Sequence, residues 1–304
     1  MLGGHSHQTG AAEMRRRKLA LVLGFTATAL VAELIGAAIS GSLALLADAG
    51  HALSDVAGLG LALVATVLAQ RPETPQRTWG YRRAEVLAAA AQAAVLLAFG
   101  VYVLVDGVRR LIEPPDVGSA AMLAFGIVGL AANSASIGVL ASARNSNLNV
   151  RAAFLEVVND ALGSAAVIVA AAAIAVFGWH RADAVASLLI GALILPRTWR
   201  LLRETVDVLL ESTPRSMDLE AVRSRLLTVP HVRDVHDLHA SQLTTDLPVL
   251  TAHVVVDDTC FHDAHIPVLL DQLQRCLADD FDVEHSTIQF EKAAHIEHER
   301  ETHA

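Results

Sequence analysis

The sequence predicts an α-helical membrane protein with six transmembrane helices, followed by a small C-terminal α+β domain. Three observations carry this. Six apolar runs, each long enough to cross a bilayer, follow one another over roughly the first 205 residues. A mean hydropathy of +0.45 and 53% apolar residues take the 304-residue chain out of the soluble globular class. The last hundred or so residues change character, mixing charges with short alternating apolar patterns that suit strands.

Taken in order, residues 1–14 are polar, carry His5 and His7, and are expected to form a disordered cytoplasmic tail. Arg15, Arg16, Arg17 and Lys18 then precede the first run, 19–39, which is too long for a signal-peptide core and leads at once into further spans. The next runs are 43–69, 84–107, 119–142, 152–177 and 183–202. Their many Ala, Gly and Ser residues fit close helix packing in lipid. An even number of spans puts both termini on one side. On that side lie Arg15, Arg16, Arg17, Lys18, Arg71, Arg77, Arg82, Arg83, Arg144, Arg151, Arg197, Arg200 and Arg203, against Arg109, Arg110 and Arg181 opposite. The positive-inside rule therefore predicts a multi-pass protein of the inner, cytoplasmic membrane with both termini in the cytoplasm. Pro196 falls near the inner end of the last span, where it is expected to kink the helix.

The transmembrane domain is expected over 15–206 and the α+β domain over 207–292. In the latter, 219–229 has helical spacing, 232–243 and 249–256 read as strands, 266–277 as a helix and 283–290 as a third strand. This α-β-β-α-β order predicts one sheet covered by two helices. The tail 293–304, with His295, His298 and His303, is expected to fray. Cys260 and Cys276 form no CxxC, which points to free thiols in a reducing compartment. The formal charge of -9 conceals arginines between the spans and an acidic C-terminal third, a distribution that gives no sign of nucleic-acid binding.

Chemistry is signalled by the charges inside the spans. Asp48, His51 and Asp55 share one helical face of the second span, and Glu156 and Asp160 repeat the spacing in the fifth. Each ionisable group at mid-membrane costs about 2.5 to 3.5 kcal/mol, so the set requires compensation. One imidazole and three carboxylates suit a divalent cation; hydrogen bonding between helices is the plainer alternative. Asp48 is expected to orient His51 from behind, with Asn159 beside it. Glu33 and Asn133 read as buried polar groups, and Glu85 and Asp106 as interfacial. An intramembrane metalloenzyme or a non-transporting metal sensor would use similar residues, but no HExxH or nucleophile motif accompanies the set, which argues against an enzyme.

Beyond spacing, SLALLADAGHALSD, WGYRRAEVLAA, NLNVRAAFLEVVNDALGS, LRETVDVLLESTP and HSTIQFE resemble, in order and separation, the motifs of the cation diffusion facilitator family of metal transporters. The likeness is to its zinc-transporting branch and spans nearly all of the chain outside the tails. It implies a homodimer with a ferredoxin-like, metallochaperone-like cytoplasmic domain, exporting zinc or a similar ion in exchange for protons by alternating access. The family's transport ligands fall on His51, Asp55, Glu156 and Asp160. The zinc branch usually has His where this chain has Glu156; the added carboxylate makes the site harder and admits manganese, iron, cobalt or cadmium as alternatives. In the loop RPETPQRTWGYRR, the positions matching an extra zinc site of some relatives are Thr74, Arg77 and Tyr81, so no metal is expected there. In the cytoplasmic domain the resemblance places regulatory zinc ligands at His236, His253 and His265, with Glu291 and His285 as further candidates and His239, Cys260 and His262 as weaker ones.

Overall fold

In lipid every backbone polar group must be satisfied within the chain, and long apolar runs do this as helices. The computed structural model describes residues 5–141, 148–244 and 247–298. Six long helices form the first part: α1 (His5–Ser40), α2 (Leu43–Ala69), α3 (Ala84–Ile112), α4 (Ser119–Ala141), α5 (Leu148–Phe177) and α6 (Arg181–Leu209). All six contain segments long and apolar enough to cross a membrane. Two outrun their apolar stretches: α3 continues through Arg109 and Arg110, and α6 passes Pro196 and runs on through Arg200 and Arg203. The backbone of α1 already begins at His5, within the segment expected to be a disordered tail; Gln8, Ala11, Ala12, Glu13 and Met14 are good helix formers there. Arg144 and His303 lie outside the described residues.

The chain divides into two compact units, Met1–Leu61 with Ala91–Leu201, and Ala62–Ala90 with Leu202–Ala304. In the first, α4 packs between α1 and α5. Its largest apolar cluster joins Ala37, Leu43, Leu45, Val103, Met122, Val167 and Ile190 near the short connections, and a smaller one joins Val22, Leu140, Val150 and Val157 at the other end. Between the two clusters lie the buried polar residues Glu33, Asp48, Asn133, Asp160 and Ser164. The outer faces stay apolar, with Val105, Val169, Val176 and Leu193 exposed as a lipid-facing surface requires.

The turn between α1 and α2 is held from outside its own sequence. Ser42 Oγ accepts from Leu45 N at 3.1 Å and donates to Asp183 Oδ1. Asp183, near the start of α6 and 1% exposed, also accepts from Leu43 N at 2.8 Å and Ala44 N at 3.1 Å. Its carboxylate therefore satisfies two of the free N–H groups of the first turn of α2 and faces that helix's positive end. Arg110 Nη1 lies 3.7 Å from Asp183 Oδ2 and donates to Gly41 O at 2.7 Å.

In the second unit, the α2–α3 connection places Trp79 edge-on against His285, 4.7 Å between ring centroids, and Arg77 over the Tyr81 ring. The C-terminal elements are α7 (Leu219–Leu226), β1 (Val232–Thr244), β2 (Leu247–Val256), α8 (Ile266–Phe281) and β3 (His285–Glu291). Asp218 caps α7 by accepting from Glu220 N at 3.0 Å. The sheet order is β1-β2-β3, with the first pair antiparallel and the second parallel. This is the ferredoxin-like β-α-β-β-α-β pattern without its first strand. Val222 and Leu226 of α7, and Leu269, Leu273 and Leu277 of α8, pack on Val235, Leu250, Ala252 and Val254. Cys260 and Cys276 are free and buried, and burial pushes the Cys276 thiol above its ordinary range. Residues expected to fray after β3 instead form a short 3-10 helix, Ala293–His298, closed by His295 N donating to Lys292 O at 2.9 Å.

Candidate metal centre

Two helices bring the intramembrane set together, each offering two ionisable side chains one turn apart. His51 Nε2 of α2 lies 3.8 Å from Asp55 Oδ2, 3.5 Å from Glu156 Oε1 and 3.8 Å from Asp160 Oδ1. Donor atoms of His51, Asp55 and Asp160 all fall within 4.8 Å of one another. A cation with bonds of about 2 Å would need only a small inward movement of these side chains. Among the described residues, His51 Nδ1 and Asp55 Oδ2 are buried without a hydrogen-bond partner, so the set is not complete by itself. A cavity of about 120 Å³ reaches it, lined by Asp48, His51, Asn159, Gly163, Ile194 and Arg197 among others.

Two of these residues meet partners that the local spacing does not show. Glu156 does join the cluster, but its carboxylate is gripped by Arg197 of α6, whose Nη1 donates to Oε2 at 2.7 Å and also to Oε1. In the sequence Arg197 stands out only as one of the cytoplasmic-side arginines. Its pairing joins residues 41 apart on different helices, which local sequence patterns do not reveal. Asp48, expected to orient His51, instead accepts from Ser164 Oγ at 3.1 Å, and Ser164 Oγ accepts from Asn133 Nδ2 at 3.3 Å. The reason is space. Gly163 has no side chain, and a Cβ there would run into Asp48 Oδ1, so α5 admits the carboxylate at this point. Gly129 of α4 likewise leaves room for Glu33, whose Oε1 would be 2.7 Å from a Cβ at that position. Asn159 lines the cavity beside these groups.

The second cluster grows from sheet register. His236 of β1 stands opposite His253 of β2, which stands beside Gln289 of β3. Glu291, two residues further and 3% exposed, reaches both imidazoles: Oε2 is 3.3 Å from His236 Nε2, and Oε1 is 2.9 Å from His253 Nδ1. Donor atoms of these three residues lie within 4.8 Å of one another. Gln289 Nε2 donates to Glu291 Oε1 at 2.6 Å, and Asp237 Oδ2 lies 3.5 Å from His253 Nε2. Asp237 comes into range because β1 changes register between His236 and His239 and Asp237 takes a positive φ of 45°.

The remaining domain candidates fall elsewhere. His265 precedes α8 and stacks edge-on with His231, 5.1 Å between centroids, while His285 opens β3 against Trp79. Strand alternation and helix-start position fixed their elements but not their neighbours. His239 pairs with Asp237 at 2.8 Å, Cys260 belongs to the domain core, and His262 follows the 3-10 turn at Asp258–Phe261. His231 Nδ1 lies 3.1 Å from Asp257, whose carboxyl is held below its ordinary range by the hydrogen bond from Arg233 and then by His231.

Comparison with known proteins agrees with both halves of this description. The family described as "Cation efflux transmembrane domain" matches residues 19–210, and "Cation efflux protein, cytoplasmic domain" matches 214–293. The chain is 42% identical over 293 residues to the metal cation efflux system protein CzcD of Cupriavidus metallidurans, covering 96% of this chain and 91% of the relative. It is 40% identical over 295 residues to the zinc transporter ZitB of Escherichia coli, covering 96% and 93%. A cadmium, cobalt and zinc/H(+)-K(+) antiporter of Bacillus subtilis is 35% identical over 297 residues, with the same coverage of 96% and 93%.

Proposed function

The chain belongs to the cation efflux, or cation diffusion facilitator, family, and from that premise we propose that it exports divalent metal cations, zinc foremost, in exchange for protons. The observation that carries this reading is the convergence of His51, Asp55 and Asp160 from α2 and α5 in a polar layer between two apolar clusters. Residues 15–206 are the transport unit. The ion enters from the cytoplasm, meets neutral imidazole and ionised carboxylates, and is released on the far side as those groups take up protons. Binding of metal and binding of protons are mutually exclusive at the same atoms, which is what couples the two fluxes. The protein works as a homodimer in the inner membrane with both termini cytoplasmic, an orientation supported by the arginine distribution. Manganese, iron, cobalt and cadmium are the alternative substrates, since Glu156 adds a hard carboxylate beside the site.

Residues 207–292 act as a metal-responsive domain. His236, His253 and Glu291 would hold zinc there, a mixed nitrogen and oxygen donor set that suits it. Metal bound at this position biases the transport unit toward turnover. The substitution His253→Ala should raise the zinc concentration for half-maximal flux by roughly fivefold or more, while maximal flux persists. Zinc-dependent uptake curves in proteoliposomes check this, and an unchanged half-maximal concentration would remove the regulatory role.

The whole reading is tested by reconstituting the protein in vesicles with an imposed proton gradient. Zinc, manganese, cobalt, cadmium and iron uptake are then compared, with internal pH recorded. Zinc flux that collapses with the gradient is the expected result. Metal binding without flux of any ion would instead leave a sensor.

A further inference from the structure

Glu156 poses a charge problem that the transport ligands do not solve. Asp55 and Asp160 together carry two negative charges, which one divalent cation neutralises. Glu156 adds a third, with its Oε1 3.5 Å from His51 Nε2. Among the described residues, the permanently charged group set against it is Arg197, one residue after Pro196 on α6, whose Nη1 donates to both carboxylate oxygens. Arg197 also lines the cavity that leads to His51.

We propose that Arg197 is the standing counter-cation of Glu156, that the two form one neutral unit, and that this unit sets the metal affinity of the site formed by His51, Asp55 and Asp160. The inference rests on the export reading given above. With both residues present, the ion meets two uncompensated carboxylates. With Glu156 alone it would meet three, and bind too tightly to leave quickly. With Arg197 alone it would meet a guanidinium whose charge repels it. Carrying both or neither is therefore favourable, and carrying one is not. Arg197 is a positioning residue: it holds Glu156 and tunes the field at the ion, without ligating it. Its side chain is 61% exposed, so the protein does not enclose it, and it lies against Glu156 rather than against the ion's ligands. The effect of an unmatched charge here is accordingly about tenfold in affinity rather than thousands.

The test is a double-mutant cycle on full-length protein with zinc as the probe, comparing wild type, Glu156→His, Arg197→Gln and the double substitution. Zinc dissociation constants are measured in detergent and zinc flux in proteoliposomes. Glu156→His alone should weaken zinc binding about tenfold, because it orphans the guanidinium. Arg197→Gln alone should tighten binding while slowing flux, a split that simple loss of structure does not produce. The double substitution should return affinity to within about threefold of wild type. Arg197→Lys keeps the charge and should stay closer to wild type than Arg197→Gln, which guards against a misfolded double variant. Additive effects, or Arg197→Gln leaving affinity and flux unchanged in both backgrounds, would overturn the proposal. Should wild type itself neither bind nor move zinc, the export reading fails instead.

Discussion

Replacing Asp160 by asparagine is expected to lower proton-driven zinc flux by roughly 100-fold or more, beyond the 10- to 100-fold typical of losing a ligand's hydrogen-bond partner. Asp160 is the most buried carboxylate of the set and sits 3.8 Å from His51 Nε2. On the proposed export reading, asparagine keeps its shape but removes the charge that attracts the ion and the basic oxygen that exchanges it for a proton. The same change should leave the metal-free protein as stable as before or slightly more so. It relieves repulsion between Asp55 and Asp160, carboxylates that crowd one another when no cation separates them. Flux in proteoliposomes and thermal unfolding of the metal-free protein check the two halves. Retention of more than a tenth of wild-type flux would remove Asp160 from the transport set.

Asp183→Ala is expected to destabilise the protein by about 3 kcal/mol, the order seen when one partner of a buried, hydrogen-bonded charge is deleted together with a helix cap. The substitution strips Ser42 Oγ, Leu43 N and Ala44 N of an acceptor and leaves Arg110 facing an empty position. Asp183→Asn retains an acceptor and should cost less than half as much. Unfolding midpoints of the two variants in detergent check this order; equal losses would mean that the charge, not the capping, is what matters.

Much of this molecule was legible before its structure. Six spans followed from length and hydropathy, because lipid leaves a long apolar segment little choice but helix. The α-β-β-α-β order followed from changes of periodicity, with boundaries shifting by a few residues where Val229 and Val283 fall outside the elements and α8 runs on to Phe281. His51, Asp55, Glu156 and Asp160 stood out because charge within a span is costly. Illegible were the partners drawn from distant sequence: Arg197 on Glu156, Asp183 on α2, and Ser164 on Asp48. Each looked like an ordinary residue of its own segment, and only helix packing gave it a counterpart. The domain histidines show the same limit. His236 and His253 meet because strand register opposes them, whereas His265 and His285 are carried to other neighbours.

The clamp at Asp183 has a mechanical consequence. At its first turn α6 grips the start of α2 through an anion, and about 21 Å further along it grips α5 through the cation Arg197. It is a strut fastened unequally at its two ends. The Asp183 end holds by several short bonds in a dry position, while the Arg197 end holds by one exposed guanidinium. Any displacement of α6 against α2 therefore meets its stiffest resistance at the Asp183 end. The Arg197 end is the more compliant of the two, so strain along α6 is felt first at the Glu156 pair.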